Sequence, residues 1–210
     1  MTTDTASADT ADAPGPDDRP DPLAPFDAFM RTVAKTCSSA GGRAALADGL
    51  ALDLSQTPWQ LYHQVLEHQP DGRIPGTYND PERERPYLLI ACLYAFHDAP
   101  NPRMSGSRPP RPPRFGNRRH NLGWSYQQAT ASVMRPKNAA DALVALANLD
   151  QAGLYRDLPG AISLLRSRKV PVTWSVLLRD LTRWPEHADS IRLSWIRSFH
   201  AAPTTKEPAK

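Results

Sequence analysis

The amino-acid sequence predicts an all-α protein, two small helical bundles joined by a proline- and arginine-rich loop. Three observations point there. Apolar residues recur at three- and four-residue steps from Phe26 to Phe199, the period of one helix face. No alternating apolar and polar run is long enough to make a strand, and no internal repeat is present. Prolines crowd the stretch from Pro100 to Pro113, where regular structure cannot form, so the periodic segments divide into two groups. At 210 residues and 40% hydrophobic content, the chain can bury a core in one domain or in two small ones without a metal or a disulfide.

The segment Met1 to Pro25 is rich in Asp, Thr, Ala and Pro and has almost nothing to bury, so it reads as a disordered acidic tail. From Phe26 to Asp98, four helical patterns predict the first bundle: Phe26 to Cys37, Arg43 to Leu52, Pro58 to His68 behind Thr57 as cap, and Pro86 to His97. The last is apolar nearly all round, from Tyr87 to Phe96, as expected of a helix enclosed by its neighbours. Gly, Pro and Asn between Asp71 and Asp80 predict a loop, and Ala99 to His120 is the basic connection between the bundles.

The second bundle spans Asn121 to His200. Its helical period returns with Leu122, Tyr126, Ala129 and Val133; Asn138 is placed to cap Ala139 to Leu149; Leu158, Ile162 and Leu165 form the next stripe. Thr173 is placed to cap a helix carrying Trp174, Leu177, Leu178 and Leu181 on one face, with Trp184 at its end. Pro185 suits a first helical position, after which Ile191, Trp195 and Phe199 stack at four-residue steps while Arg192 and Arg197 point elsewhere. The fold is expected to close on this helical hairpin, followed by a flexible tail from Ala201 to Lys210.

Charge is distributed unevenly. The first 25 residues hold six Asp against Arg19; setting these aside from the chain's 22 acidic and 25 basic residues leaves 16 against 24, a net of +8. A basic body favours a polyanionic partner, although an ordinary solvated surface has the same composition. From Ala99 to Ala140 there is no acidic residue, while Arg103, Arg108, Arg111, Arg114, Arg118, Arg119, Arg135 and Lys137 all occur. Prolines in R-P-P-R-P-P-R keep the stretch extended and expose successive guanidinium groups, which bind phosphate oxygens in pairs. Phe115, His120 and Trp124 interleave flat rings on which an unpaired base can stack. Two rival readings stand beside nucleic-acid binding: a solvated linker, and a helical protein-interaction adaptor whose proline-rich loop is read by a partner domain.

Catalysis finds little support. His63 and His68 are five residues apart and leave one helical face, and the other histidines lack metal spacing. Asp98 beside His97 and the Arg179–Asp180 pair read as solvent pairs or caps. No Gly-rich phosphate loop with its Lys, no G-x-S-x-G and no paired metal carboxylates occur, so neither an enzyme nor a cofactor is expected. Cys37 and Cys92 fall on apolar helical positions and read as small buried hydrophobes. Two Cys, an acidic N-terminus and no apolar run near the roughly eighteen residues of a membrane span predict a cytoplasmic chain without a membrane partner.

Several segments occur in the order and spacing of one family. Leu158 to Phe199 reads as a Leu-rich helix, a Val-Pro turn, a capped aromatic, L-x-x-D-L-x-x-W and W-x-x-x-F. Before it come G-G-R-A-A-L at Gly41 to Leu46, the Tyr62 to Leu66 helix, the Tyr87 to Phe96 helix and N-L-G at Asn121 to Gly123. Together they resemble the CasB-type small subunit of the type I-E CRISPR surveillance complex, Cascade, over Phe26 to His200. The resemblance implies a non-catalytic, all-helical subunit presenting a basic surface to nucleic acid. Its partners would be guide RNA, the target and non-target DNA strands, the other Cascade subunits and a second copy of itself.

By that resemblance Arg43, at the N-terminal end of its helix, is a phosphate contact; the acid-free run itself offers Arg108, Arg111, Arg114, Arg118, Arg119, Arg135 and Lys137 as further nucleic-acid contacts. Family members commonly carry further Arg where Ala47 and Asp48 stand here, and a basic residue where Trp124 stands. Part of the positive surface is therefore expected to have moved into the arginine-proline loop. Arg166, Arg168 and Lys169 either complement a helix C-terminus or touch the strand.

Overall fold

The structure, a computed structural model, describes residues 21–52, 59–99, 120–130 and 134–201. Eight α-helices and no strand occur among the described residues: α1 (Ala24–Thr36), α2 (Ala40–Asp48), α3 (Trp59–Leu66), α4 (Pro81–His97), α5 (Leu122–Thr130), α6 (Pro136–Ala147), α7 (Gln151–Ser167) and α8 (Trp174–His200). The all-α expectation is met. Residues 1–20 of the expected acidic tail, Thr57, Val133 and most of the arginine-proline loop lie outside the described residues; the tail's last five residues do not stay apart, since Leu23 is buried and Ala24 and Pro25 open α1.

Helix starts follow short polar caps, often not the ones the sequence pattern suggested. Ser39 Oγ accepts the Gly42 N–H at 3.0 Å and starts α2 three residues before Arg43. Asp80 accepts the Glu82 N–H at 3.0 Å, so α4 begins at Pro81 and Pro86 sits inside it. Asp150 accepts the Gly153 N–H at 2.7 Å and starts α7 well before Leu158. For α6, Arg135 occupies the cap position with Pro136 next, in place of Asn138, and no side chain caps it. Thr173 occupies the expected cap position of α8, but its side chain makes no capping bond.

The residues of α8 extend to His200, but they form two helical arms and not one straight rod. Trp195 Nε1 donates to Asp180 Oδ2 at 2.8 Å across fifteen residues, which would lie about 22 Å apart along a straight helix. The chain bends where Pro185 removes a backbone donor and His187 leaves helical geometry (φ −134°, ψ 22°). The two arms therefore fold back on each other, with the Trp184 and Trp195 ring centroids 5.2 Å apart. This is the expected hairpin.

One contiguous core joins both halves of the chain. Its axis is α4, buried at Tyr87, Leu88, Leu89, Ile90, Cys92 and Leu93 and in contact with α1, α2, α3, α7 and α8. Phe96 departs from the apolar-all-round expectation, since 55% of it faces solvent. Cys37 and Cys92 are wholly buried, and burial pushes both thiols up to about 12, which leaves them protonated packing groups. In the second half, α5 packs along the outgoing arm of α8 so closely that Gly123 has no room for a side chain: a Cβ there would lie 1.8 Å from the Trp195 carbonyl oxygen.

Candidate nucleic-acid interface

Cations divide into two populations by what faces them. Arg83, Arg85, Arg156, Arg166, Arg179 and Arg192 each meet a carboxylate, from Asp80, Glu82, Asp157, Asp98, Asp180 and Asp189 respectively. Arg31, Lys35, Arg73, Arg135, Lys137, Arg168, Lys169, Arg183 and Arg197 are exposed, and no carboxylate pairs with them among the described residues.

Tertiary contacts gather five of this second population, Arg135, Lys137, Arg168, Lys169 and Arg197, at the open end of the hairpin. Arg168 and Lys169 close α7, with Lys169 in the left-handed region at φ 59°. Two residues on, the Pro171 carbonyl accepts Ser125 Oγ–H at 2.9 Å, tying this corner to α5. The last turns of α5 reach the end of α8, where Gln127 donates to the Ala201 carbonyl, and Arg197 stands on the adjoining last turn of α8. Beyond α5, the Met134 N–H donates to the Ala129 carbonyl at 3.1 Å, which holds Arg135 and Lys137 beside the same corner. These two open α6 with no acidic residue in its first turn. Cations there oppose the helix dipole, an arrangement that an incoming anion relieves.

Both ends of the arginine-proline loop are rooted in this region. At its start, Asp98 Oδ2 accepts Trp174 Nε1–H at 2.7 Å and Asp98 Oδ1 pairs with Arg166. At its end, Asn121 Nδ2 donates to the Ser194 carbonyl at 3.2 Å and to Ser194 Oγ at 3.1 Å. Arg108, Arg111, Arg114, Arg118 and Arg119 lie outside the described residues, so only their anchors are placed.

Arg43 is the fourth residue of α2 rather than its first. Its own N–H is committed to the Ser39 carbonyl at 3.0 Å and the Gly42 N–H to the Ser39 side chain, so any phosphate contact falls to the half-exposed guanidinium. Its Nε is buried without a hydrogen-bond partner, and its charge is felt at the Cys37 thiol. The bend of α8 lies at the other end of the hairpin. A cleft of about 460 Å³ between α4, α7 and the bend of α8 is rimmed by Asp80, Glu82 and Glu186, with Arg83 among them.

Two polar readings from sequence are corrected here. Asp98 is no solvent pair of His97: it takes the C-cap position of α4, as the cap alternative had it, and joins α4, α7 and α8, and Arg166 is thereby withdrawn from the basic surface. Asp180 is 4% exposed and holds the hairpin arms together through Trp195. Burial raises its pKa, against the lowering pull of Arg179, the Trp195 N–H and Arg183.

Residues 42–200 match the family described as CRISPR-associated protein Cse2. The chain belongs to the Cse2 family. Among similar solved structures, a chain of a "CRISPR RNA-guided surveillance complex" is 28% identical with TM-score 0.64, over 85% of this chain and 92% of that one. A chain of a "CRISPR RNA-guided surveillance complex, pre-nicking" is 26% identical with TM-score 0.64, over 85% and 93%. CasB from M. ruber, 23% identical with TM-score 0.62 over 83% and 91%, shares the fold. No curated protein matches.

With the Cse2 family established, the recognition drawn from Leu158 to Phe199 and the earlier segments holds. Arg197 is the basic residue that sequence reading passed over. A signal for it existed: no acidic residue stands three or four positions to either side, whereas Arg192 has Asp189 at that spacing.

Proposed function

We propose that this chain is the non-catalytic, nucleic-acid-binding small subunit of a cytoplasmic type I-E Cascade complex. It braces guide RNA and target DNA and stabilises the displaced non-target strand of the R-loop in antiviral defence. Its partners are the guide RNA, both DNA strands, the other Cascade subunits and a second copy of itself. The observation that carries this reading is the grouping of Arg135, Lys137, Arg168, Lys169 and Arg197, unpaired with carboxylates, at the corner where both ends of the arginine-proline loop are anchored. Among the described residues no group of three or more His, Cys, Asp or Glu is placed to hold a metal, and no helix is long and apolar enough to cross a membrane.

A guide RNA reads sequence by base pairing, so a protein alongside it needs only to grip backbone and shape. R-loop exchange is nearly balanced in free energy, and a few kcal/mol of backbone contact decides whether the loop stays open. Salt tests this directly. If about five phosphates of a single strand are neutralised, log affinity falls with log salt at a slope near −3.5, and a threefold rise in salt weakens binding about fifty-fold. Changing Arg108, Arg111, Arg114, Arg118 and Arg119 to Glu should shorten R-loop lifetime whatever the target sequence. An unchanged lifetime would reject the assignment.

A further inference from the structure

Where the chain returns from the arginine-proline loop, the His120 and Trp124 rings lie stacked, centroids 3.7 Å apart and planes within 9°. This is the spacing of one nucleobase on the next, and both rings are only partly buried. The pair is held in place before any ligand arrives. Asn121, 6% exposed, accepts the Trp124 N–H on Oδ1 at 3.2 Å while its Nδ2 is donated to Ser194 on α8. A rigid pair of flat faces loses little freedom when a third ring joins it. Burial lowers the pKa of His120, so near neutral pH its ring is uncharged and stacks as an aromatic face. Arg197 stands three residues beyond Ser194 on α8, the residue that anchors Asn121, and is free of any carboxylate partner among the described residues. Ring stacking beside a free guanidinium is the combination by which proteins hold single strands without reading their sequence.

We infer that the His120–Trp124 stack is a platform for one unpaired nucleobase of a bound strand, with Arg197 taking a neighbouring phosphate. This rests on the reading that the chain grips single-stranded nucleic acid, and it adds what that reading lacks, a contact to a base.

The test compares, for the full-length protein at one salt concentration, a short oligothymidylate and an abasic strand of the same length and charge. A stacked base is expected to make the first bind about five- to hundredfold tighter. His120→Ala should remove most of that ratio and leave abasic affinity and the salt slope as they were. His120→Tyr, which restores a flat ring, should restore the ratio. Equal binding of both strands by the unaltered protein overturns the inference while leaving the proposed function intact. So does an H120A variant that keeps the ratio, or one that weakens both strands alike. Failure of the unaltered protein to bind either strand overturns the inference and the proposed function together.

Discussion

Asp98 and Trp174 lie 76 residues apart in sequence and meet in a 2.7 Å hydrogen bond, indole N–H to carboxylate, at the C-terminal end of α4. The same carboxylate pairs with Arg166, and both partners of that pair keep a quarter or less of their side chains exposed (19% and 25%). One residue thus fixes the end of α4 to α7 and to the first turn of α8. Replacing it by Ala leaves a half-buried guanidinium and an indole N–H without their acceptor, which should cost about 2–3 kcal/mol. For a domain of this size, Asp98→Ala should lower Tm by about 5–10 °C. Asp98→Asn, which keeps an oxygen for the indole, should lose less. Equal stability of the Ala variant and the unaltered protein in urea melts would show that the joint does not matter.

Asp180 gives a pH signature of unusual sign. Its folded pKa is raised, burial being the larger cause, while in the unfolded chain an Asp titrates near 3.9. The folded state therefore holds the proton more tightly. From about pH 4 up to the raised folded value, stability should fall as pH rises, by about 1.4 kcal/mol per pH unit. Asp180→Asn keeps an acceptor for Trp195 and removes the titration. The stability of the unaltered protein relative to this variant should be highest at the acid end and decline through that window. A relative stability that climbs with pH would mean that pairing with Arg179 outweighs burial.

Gly123 and Gly41 should respond to Ala with opposite signs. At Gly123 the new Cβ would lie 1.8 Å from the Trp195 carbonyl oxygen and 2.6 Å from its carbon, both backbone atoms that cannot swing aside. Helices α5 and α8 would have to separate, and Gly123→Ala should cost about 3 kcal/mol or more. At Gly41, inside α2, nothing lies within 4 Å of the added carbon. Gly41→Ala should stabilise by about 0.5–1 kcal/mol through helix propensity alone. Thermal melts of the two variants moving in the same direction would contradict this account.

Periodicity carried the closing helices, because Leu177, Leu181 and Trp195 follow a spacing that packing then uses, while an apolar run through Leu93 marked the buried length of α4. It failed at helix starts that hold proline. Pro86 looked like a beginning, yet Asp80 caps the chain and Pro81 takes the first position, so the helix starts five residues earlier, directly after the expected loop. The site divides similarly. A run without acidic residues marks the arginine-proline loop in sequence, but the fate of each remaining cation depends on a partner far along the chain. Arg166 and Arg168 look alike as letters; only the fold brings Asp98 to the first and leaves the second bare.

Those two fates yield a control for the basic corner. Arg135→Glu with Lys137→Glu and Arg83→Glu with Arg156→Glu change the net charge equally, by four, since each substitution replaces +1 with −1. The first pair lies beside the α5–α7 corner, where no carboxylate meets it among the described residues. In the second, Arg83 and Arg156 already face Asp80 and Asp157. Were net charge alone responsible for binding, both double variants would weaken single-strand affinity alike. If strands dock at the corner, only the first should lose binding, by about tenfold, as charge-assisted hydrogen bonds are broken. Its salt slope should also fall in magnitude by about 0.7 for each phosphate no longer neutralised, while that of the second stays unchanged. Titration of a labelled strand at three salt concentrations reads both quantities at once. Equal losses in the two variants would move the interface away from Arg135 and Lys137.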